Sequence, residues 1–111
     1  KIQVVNGIIE SLGLRNAQGF HGRAEDIPKT FDVIVSRAVA PMLKLANWGE
    51  KKLKKNAAEP GCFVLLKGGD LKEEILDFRK YYKWYRVKEV ELSKYFSGEF
   101  FETKKIIFIS R

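Results

Sequence analysis

The 111-residue sequence is poor in the residues that build disulfide scaffolds and metal centres. It contains one cysteine, Cys62, and one histidine, His21. A single cysteine cannot form an intramolecular disulfide, and one Cys with one His cannot supply the four ligands of a structural zinc site. No stretch reaches the roughly 18 uninterrupted apolar residues that a membrane-spanning helix needs. The sequence therefore predicts no metal site, no disulfide framework and no membrane partner.

The remaining composition is that of a globular protein. Hydrophobic residues make up 45% and aromatic residues 13% of the sequence, which is enough apolar surface for a core, and the length suits one domain over residues 1–111. The first residues lack the long apolar segment and the small-residue cleavage site of a signal peptide. We therefore expect a cytoplasmic protein.

Positive charge is concentrated in the later part of the chain. The sequence carries 21 Lys and Arg against 14 Asp and Glu, a net charge of +7, but residues 1–40 hold five basic and four acidic side chains. Such an excess favours an anionic partner, and nucleic acid first. The alternative is that the lysines merely keep a small domain soluble.

Hydrophobic spacing predicts three helices and five strands. The helical patterns cover residues 2–12, ended by Gly13, then 42–53 after Pro41, and 71–82. Strand patterns cover residues 17–21, 31–36, 62–66, 85–92 and 105–109. The run Phe31–Ser36 is almost continuously apolar at its centre, which is typical of a parallel strand that is covered on both faces. The order of elements indicates an α/β fold whose parallel strands end in an antiparallel part.

Three short segments follow predicted strands, where open α/β sheets bind their ligands. They contain Arg23, Arg37 and the turn Lys67-Gly68-Gly69, and each joins small residues to a basic one. Ion pairs of Arg23 or Arg37 with Glu25 or Asp26, and an ordinary turn at the glycines, are the structural alternatives. No P-loop and no Gly-x-Gly-x-x-Gly motif is present, and His21 has no convincing catalytic partners.

Two further groups of side chains have mainly structural interpretations. Glu73 and Glu74 lie beside Lys72 on a predicted helix and look like a solvated face. Residues 81–86 interleave aromatic rings with cations, a pattern that could stack on RNA bases, although core packing and an interface are the more common roles.

Three blocks of the sequence resemble one known family. They are Gly22-Arg23-Ala24-Glu25, then residues 31–40, and then Leu66-Lys67-Gly68. In this order they are similar to the bacterial small-subunit rRNA guanine-N7 methyltransferases, the RsmG or GidB family, over essentially the whole chain. The resemblance implies a Rossmann-like class I methyltransferase that uses S-adenosylmethionine to methylate N7 of a guanine in 16S rRNA. It implies no catalytic acid or base.

The resemblance also assigns roles to individual residues. Ala24, Glu25 and Arg37 match positions of the cofactor site, with Ala24 and Glu25 against the adenosine. Lys67 and Gly68 match the Lys-Gly turn at the active-site edge, where RNA contact is expected. Lys104, Lys105 and Arg111 are further candidates for contacts to RNA phosphates.

The family's glycine-rich cofactor loop, and the acidic residue that holds the ribose, find no match in this sequence. The resemblance therefore implies the C-terminal part of the sheet, without the first two strands. Alone, such a chain is expected to be inactive, and its unpaired strand edges should pair in a new way, swap elements with another copy, or leave it marginally folded. A non-catalytic RNA-binding α/β module is the main alternative function, and a small-molecule methyltransferase is a third.

Overall fold

The computed structural model describes residues 1–23, 26–37, 40–55 and 58–111. Within them, four strands form one mixed sheet: β1 (Val33–Arg37), β2 (Cys62–Gly68), β3 (Arg86–Glu91) and β4 (Lys104–Ser110). The order across the sheet is β1-β2-β4-β3. β1 runs parallel to β2, whereas β4 is antiparallel to both of its neighbours. The prediction of an α/β fold with an antiparallel end is thus confirmed for these strands.

The helices of the same described residues are α1 (Ile2–Ser11), α2 (Met42–Gly49), α3 (Lys72–Tyr81) and the short α4 (Glu99–Glu102). Two 3₁₀ turns, at Glu50–Lys52 and Leu92–Lys94, follow α2 and β3. Gly13 stands just beyond α1 with a φ of +63°, a conformation that glycine adopts at little cost. The predicted stop signal at Gly13 therefore operates.

The core lies between one face of the sheet and the helices α2 and α3. Burial alternates along β2, with Phe63 and Leu65 facing the helices, because successive side chains of a strand point to opposite faces. Phe78 of α3 stacks on Tyr82 with ring centroids 5.1 Å apart. The buried cluster comprises Met42, Leu45, Ala46, Leu53, Phe63, Leu65, Leu71, Phe78, Tyr85, Ile107 and Ile109.

The other face of the sheet is open. Val35 of β1 is 72% exposed, and Val33 and Phe108 are also exposed. The prediction that the Phe31–Ser36 strand is covered on both faces is therefore wrong for the described residues. The core packs on the face that bears Ile34, and α1 has no buried residue with which to cover the opposite one.

The segment 17–21 is not a strand, although its pattern predicts one. A strand satisfies its backbone N–H and C=O groups by pairing with a neighbour. In the structure, none of the described strands pairs with this segment. Its apolar residues alone are therefore not enough to form a β-strand. Among the described residues, no helix combines the length and apolar character needed to cross a bilayer.

Candidate functional site

The carboxyl ends of the two parallel strands meet at one edge of the sheet, which we call the carboxyl edge. Arg37, the last residue of β1, lies opposite Leu66 of β2. β2 then continues through Lys67 to Gly68, whose antiparallel partner is Lys104. Four residues that the sequence singles out are thus brought to the same edge by strand register alone.

Arg37 is exposed, and its side chain has no ion pair or hydrogen bond with the described residues. The alternative of an Arg37–Asp26 ion pair is therefore not realised. A guanidinium presents five N–H donors in a planar fork and suits carboxylate or phosphate groups. Arg37 accordingly offers its donors at the rim of the carboxyl edge. Ala24 and Glu25 lie outside the described residues, so their place in a cofactor site stays a prediction.

Lys67 is the buried charged residue of the described part of the chain, with 6% of its surface exposed. Its Nζ donates to the carbonyl of Ala40 and to Oε1 of Glu74, each at 2.6 Å. The same Glu74 oxygen accepts the backbone N–H of Met42 at 2.8 Å. The lysine therefore links the end of β2 to the start of α2 and to the first turn of α3.

This arrangement gives Glu74 a defined structural task. Met42 is the first residue of α2, and Pro41 before it provides no side-chain cap. The first N–H groups of a helix lack intrahelical partners and favour a negative charge. The Glu74 carboxylate, on the neighbouring helix α3, supplies both the hydrogen-bond acceptor and the negative charge. Its interpretation as part of a solvated face is therefore wrong, whereas Glu73 is exposed as expected.

The candidate RNA-contacting lysines at this edge differ in their burial and in the contacts that their ammonium groups already make. Lys67 donates to two oxygens and has a third N–H left, but the side chain is buried, so a phosphate contact would require Lys67 to become accessible. Lys104 Nζ lies 5.4 Å from the centroid of the Phe100 ring. Lys105 is on the helix side of the sheet, where it lines a groove with Ile75 and Arg79 of α3. Lys104 and Lys105 are thus adjacent in sequence but on opposite faces.

Arg111 lies at the other end of the sheet. Ser110 before it pairs with Cys62 and Arg86, the first residues of β2 and β3. The Arg111 guanidinium carbon is 5.4 Å from the centroid of the Tyr85 ring. Strand register therefore separates Arg111 from the other candidate RNA contacts.

A hydrogen-bonded cluster surrounds Glu50 near Arg111. The carboxylate accepts from Lys55 Nζ at 2.8 Å and from the Tyr85 hydroxyl at 3.0 Å. Burial raises the pKa of Glu50, but these hydrogen bonds and the charges of Lys55 and Arg111 outweigh it and hold the pKa below 4.5. Burial and the bond to Glu50 raise the pKa of Tyr85 above 10.0. Coupling of this kind stabilises the fold and does not by itself indicate chemistry.

The aromatic residues of the segment 81–86 divide between core and surface. Tyr85 is buried, and Tyr82 packs against Phe78, so core packing is the correct interpretation for these two rings. Tyr81 and Trp84 are exposed. They precede β3, whose first residue pairs with Ser110, and hence lie toward the end of the sheet that carries Arg111.

Sequence reasoning missed two features of the carboxyl edge. One is Glu74, because an inter-helix cap leaves no local pattern. The other is the aromatic sequence between β3 and β4, where Tyr95, Phe96 and Phe100 are exposed. Its signal is visible as Tyr-Phe-Ser-Gly-Glu-Phe-Phe in the sequence, but only the fold places it beside β2.

The chain matches the family model of the rRNA small subunit methyltransferase G over residues 1–100. The ribosomal RNA small subunit methyltransferase G of Christiangramia forsetii is 42% identical across 98% of the chain, and that of Flavobacterium psychrophilum is 43% identical across 98%. The same-named protein of Parabacteroides distasonis is 39% identical across 98%. The match takes in 50%, 50% and 46% of these relatives, so the chain spans about half their length.

Proposed function

Since this chain belongs to the rRNA small subunit methyltransferase G family, we propose that the natural protein methylates N7 of a guanine in 16S rRNA with S-adenosylmethionine as donor. The observation that carries the proposal is Arg37, exposed at the carboxyl edge without an ion pair among the described residues. It lies beside the Lys67-Gly68 end of β2, the position at which α/β sheets bind their ligands. We propose a cytoplasmic location for this activity, because its proposed substrate is ribosomal RNA.

The proposed architecture is the C-terminal part of a Rossmann-like class I methyltransferase sheet, without its first two strands. The order β1-β2-β4-β3 and the switch from parallel to antiparallel pairing support it. In addition, the outer edge of β1 pairs with none of the described strands. In this proposal the two further strands would pair along that edge.

The proposed cofactor residues are Ala24 and Glu25, which position the adenosine, and Arg37, which orders the mouth of the pocket. The donor chemistry of Arg37 fits this task, since its exposed guanidinium can hydrogen-bond to the polar groups of such a ligand. When bound, S-adenosylmethionine supplies an electrophilic methyl group. The residues of the chain hold and orient; they do not themselves react.

Guanine N7 carries a lone pair in the plane of the ring, so its methylation removes no proton and needs no general base. Catalysis then depends on alignment of the reacting atoms and on a suitable electrostatic environment. The sequence accordingly need not supply an acid–base pair, and His21 is exposed.

Contacts to rRNA are proposed for Lys67, Gly68, Lys104, Lys105 and Arg111. The register of Gly68 and Lys104 supports a shared RNA contact near the cofactor residues. Arg111, at the far end of β4, would contact a different part of the RNA. A phosphate contact by Lys67 would use the N–H that Ala40 and Glu74 leave free and would require the buried side chain to become accessible.

The test supplies the natural protein with methyl-labelled S-adenosylmethionine and unmethylated 16S rRNA. N7-methylguanosine makes the RNA chain cleavable after mild reduction and aniline treatment, so sequencing of the cleavage ends locates the product. We expect label in one guanine of the RNA. Binding of RNA without transfer would instead support a non-catalytic RNA-binding module, and transfer only to small molecules would contradict the rRNA substrate.

A further inference from the structure

An aromatic surface lies between β3 and β4, next to the carboxyl edge. We define the 95–101 aromatic surface as Tyr95, Phe96, Phe100 and Phe101. Tyr95 is 71% and Phe100 57% exposed, and Phe96 is also exposed. Contiguous apolar side chains on a surface often mark an interaction site, whereas single exposed apolar residues are common. This group is therefore a candidate interaction surface.

Three of the rings, those of Phe96, Phe100 and Phe101, support one another. Phe101 is partly buried; it stacks on Phe96 with centroids 5.0 Å apart and meets Phe100 edge-on at 5.1 Å. Gly98, with a φ of +114°, directly precedes α4, and Phe96 before it and Phe100 after it both contact Phe101. The surface is thus built on Phe101 and leaves the outer rings accessible.

The fold fixes this surface beside the proposed active site. The carbonyl of Thr103, just after α4, accepts the N–H of Gly69 at 3.0 Å. Lys104 then begins β4 opposite Gly68. The aromatic surface is therefore anchored to the end of β2, which is the strand next to Arg37.

The charges around the rings favour a nucleobase with its flanking phosphates over an apolar partner. Lys104 Nζ stands 5.4 Å from the centroid of the Phe100 ring, and Lys94 and Lys105 flank the segment in sequence. Glu99 and Glu102 of α4 are also present, so electrostatic attraction alone cannot carry binding here. Stacking on aromatic faces adds a contribution that does not depend on net charge, and any base can make it because every base has a π-face.

We propose that the 95–101 aromatic surface is a stacking platform for unpaired RNA bases, with Phe100 and Tyr95 as its outer rings and Lys104 as its phosphate contact. The proposal rests on the proposed rRNA substrate and adds the residues that would hold a single-stranded segment next to the target nucleotide. Sequence-specific RNA recognition commonly uses such splayed bases on aromatic side chains.

The test measures binding of the natural protein to an oligoadenylate of about 12 nucleotides, a length within the range that single-strand-binding modules cover. The salt concentration is varied and no cofactor is added. Phe100→Leu keeps apolar volume but removes the π-face. We expect it to weaken binding about tenfold, the effect of one lost stack, without changing the slope of log affinity against log salt. Lys104→Gln should reduce that slope by about one unit.

Trp84→Leu is the matched control, because Trp84 is 63% exposed but lies toward the opposite end of the sheet. It should bind like the wild type. Tyr95→Leu is the second test variant. The rings of Phe96, Phe100 and Phe101 pack without Tyr95, which is exposed, so this substitution should not disturb folding. An abasic oligonucleotide of the same length should bind the wild type, Phe100→Leu and Tyr95→Leu with equal, weaker affinity, whereas Lys104→Gln should still show its reduced salt slope, because the abasic strand keeps its phosphates.

Unchanged binding by both Phe100→Leu and Tyr95→Leu would overturn the proposal, as would an equal loss in Trp84→Leu. Wild-type protein that does not distinguish the abasic strand would overturn it too, and would point to a protein partner for these rings. The outcomes are separable from those of the proposed function. RNA binding that depends on these rings, without methyl transfer, would contradict the proposed methyltransferase activity but support the stacking platform.

Discussion

At the scale of single residues, the Lys67–Glu74 pair holds three elements together at the carboxyl edge. Both the Ala40 carbonyl and the Met42 N–H depend on it. Breaking a buried ion pair from one side is costly, because the remaining charge stays desolvated without its partner. The pair is therefore a structural support for the strand end that carries the proposed site.

We expect Lys67→Met to lower the free energy of unfolding by about 3 kcal/mol, since Glu74 would lose its buried partner. Glu74→Gln should cost less, about 1–2 kcal/mol, because the amide oxygen can still accept from Met42. Urea unfolding of the chain followed by circular dichroism measures both. Glu73→Gln, on the exposed neighbour, is the control and should stay within about 0.5 kcal/mol of the wild type.

Lys67→Met also tests the RNA contact that is proposed for Lys67. A lysine that contacts a phosphate contributes about one unit to the slope of log RNA affinity against log salt. The salt slope of Lys67→Met therefore separates two roles. An unchanged slope with reduced stability would leave Lys67 as a support only.

Glu50 predicts how stability depends on pH. Its pKa is lowered in the folded protein, so its contribution is complete above the unfolded value near 4.5 and is lost as the pH falls through the folded value. Glu50→Gln should flatten the acid limb of a plot of unfolding free energy against pH. Glu10→Gln on exposed α1 should leave that limb unchanged. A steep limb that survives in Glu50→Gln would show that another carboxylate is responsible.

Residue types predicted the positions but not the partners of these side chains. The strand-ending Arg37, Lys67 and Gly68 follow from the apolar runs before them. The Glu74 interaction does not, because it joins a strand to a helix seven residues later and also depends on where α2 begins. Arg111 looked equivalent to Lys104 in sequence, but Lys104 begins the seven-residue strand β4 and Arg111 follows its last residue, so the two lie at opposite ends of the sheet.

At the scale of elements, the turn from β2 into α3 depends on two adjacent glycines with different tasks. Gly69 has a φ of +77°, whereas Gly68 has an ordinary backbone conformation. A Cβ at Gly69 would meet no atom within 4 Å, so the cost of a side chain there is conformational only. The turn predicted from the glycine pair therefore has a specific left-handed residue.

Gly69→Ala should destabilise the chain by about 1–2 kcal/mol, the cost of a left-handed conformation for a residue with a Cβ. Gly7→Ala is the matched control: its Cβ would also lie in open space, but Gly7 is inside α1, where alanine is favoured by about 0.5–1 kcal/mol. Thermal unfolding followed by far-ultraviolet circular dichroism measures the stability of both variants. Equal effects of the same sign would contradict the assignment of the turn.

Element prediction succeeded where periodicity is long and failed where it is short. α3 carries enough helical repeats to be recognised, and each of its ends shifts by one residue in the structure. β2 is recognised from its continuous apolar run rather than from a period, and the structure extends it by two residues at its carboxyl end. α4 has four residues, too few for a helical period. The segment 17–21 has the composition of a strand but no partner, since pairing is decided by the rest of the sheet and not by the segment.

At the scale of the whole molecule, apolar surface is left open on one side of the sheet. The outer edge of β1 pairs with none of the described strands. A groove of about 390 Å³ runs beside it and is lined by apolar residues including Phe31, Val35 and Trp48. Unpaired strand edges next to apolar surface are templates for another strand. Of the outcomes expected for the chain alone, this surface favours association with another copy.

We expect the 111-residue chain to associate with increasing concentration in sedimentation velocity. Val35→Lys places a charge on the open face of the edge strand and should shift the chain toward monomer, because charged side chains block edge pairing. Leu76→Lys is the control, since Leu76 is also exposed but lies on α3. A monomer at all concentrations would contradict this prediction, as would equal effects of the two lysines.

The most direct test of the central claim is the affinity of the natural protein for S-adenosylmethionine, measured by calorimetry for the wild type, Arg37→Gln and Arg79→Gln. Arg79 is an exposed arginine in the last turn of α3 and is not among the proposed cofactor or RNA residues. If the carboxyl edge holds the cofactor, Arg37→Gln should bind at least about tenfold more weakly, which corresponds to one lost charge-assisted hydrogen bond, and Arg79→Gln should bind like the wild type. Equal affinity for all three proteins would show that the cofactor site is not at this edge.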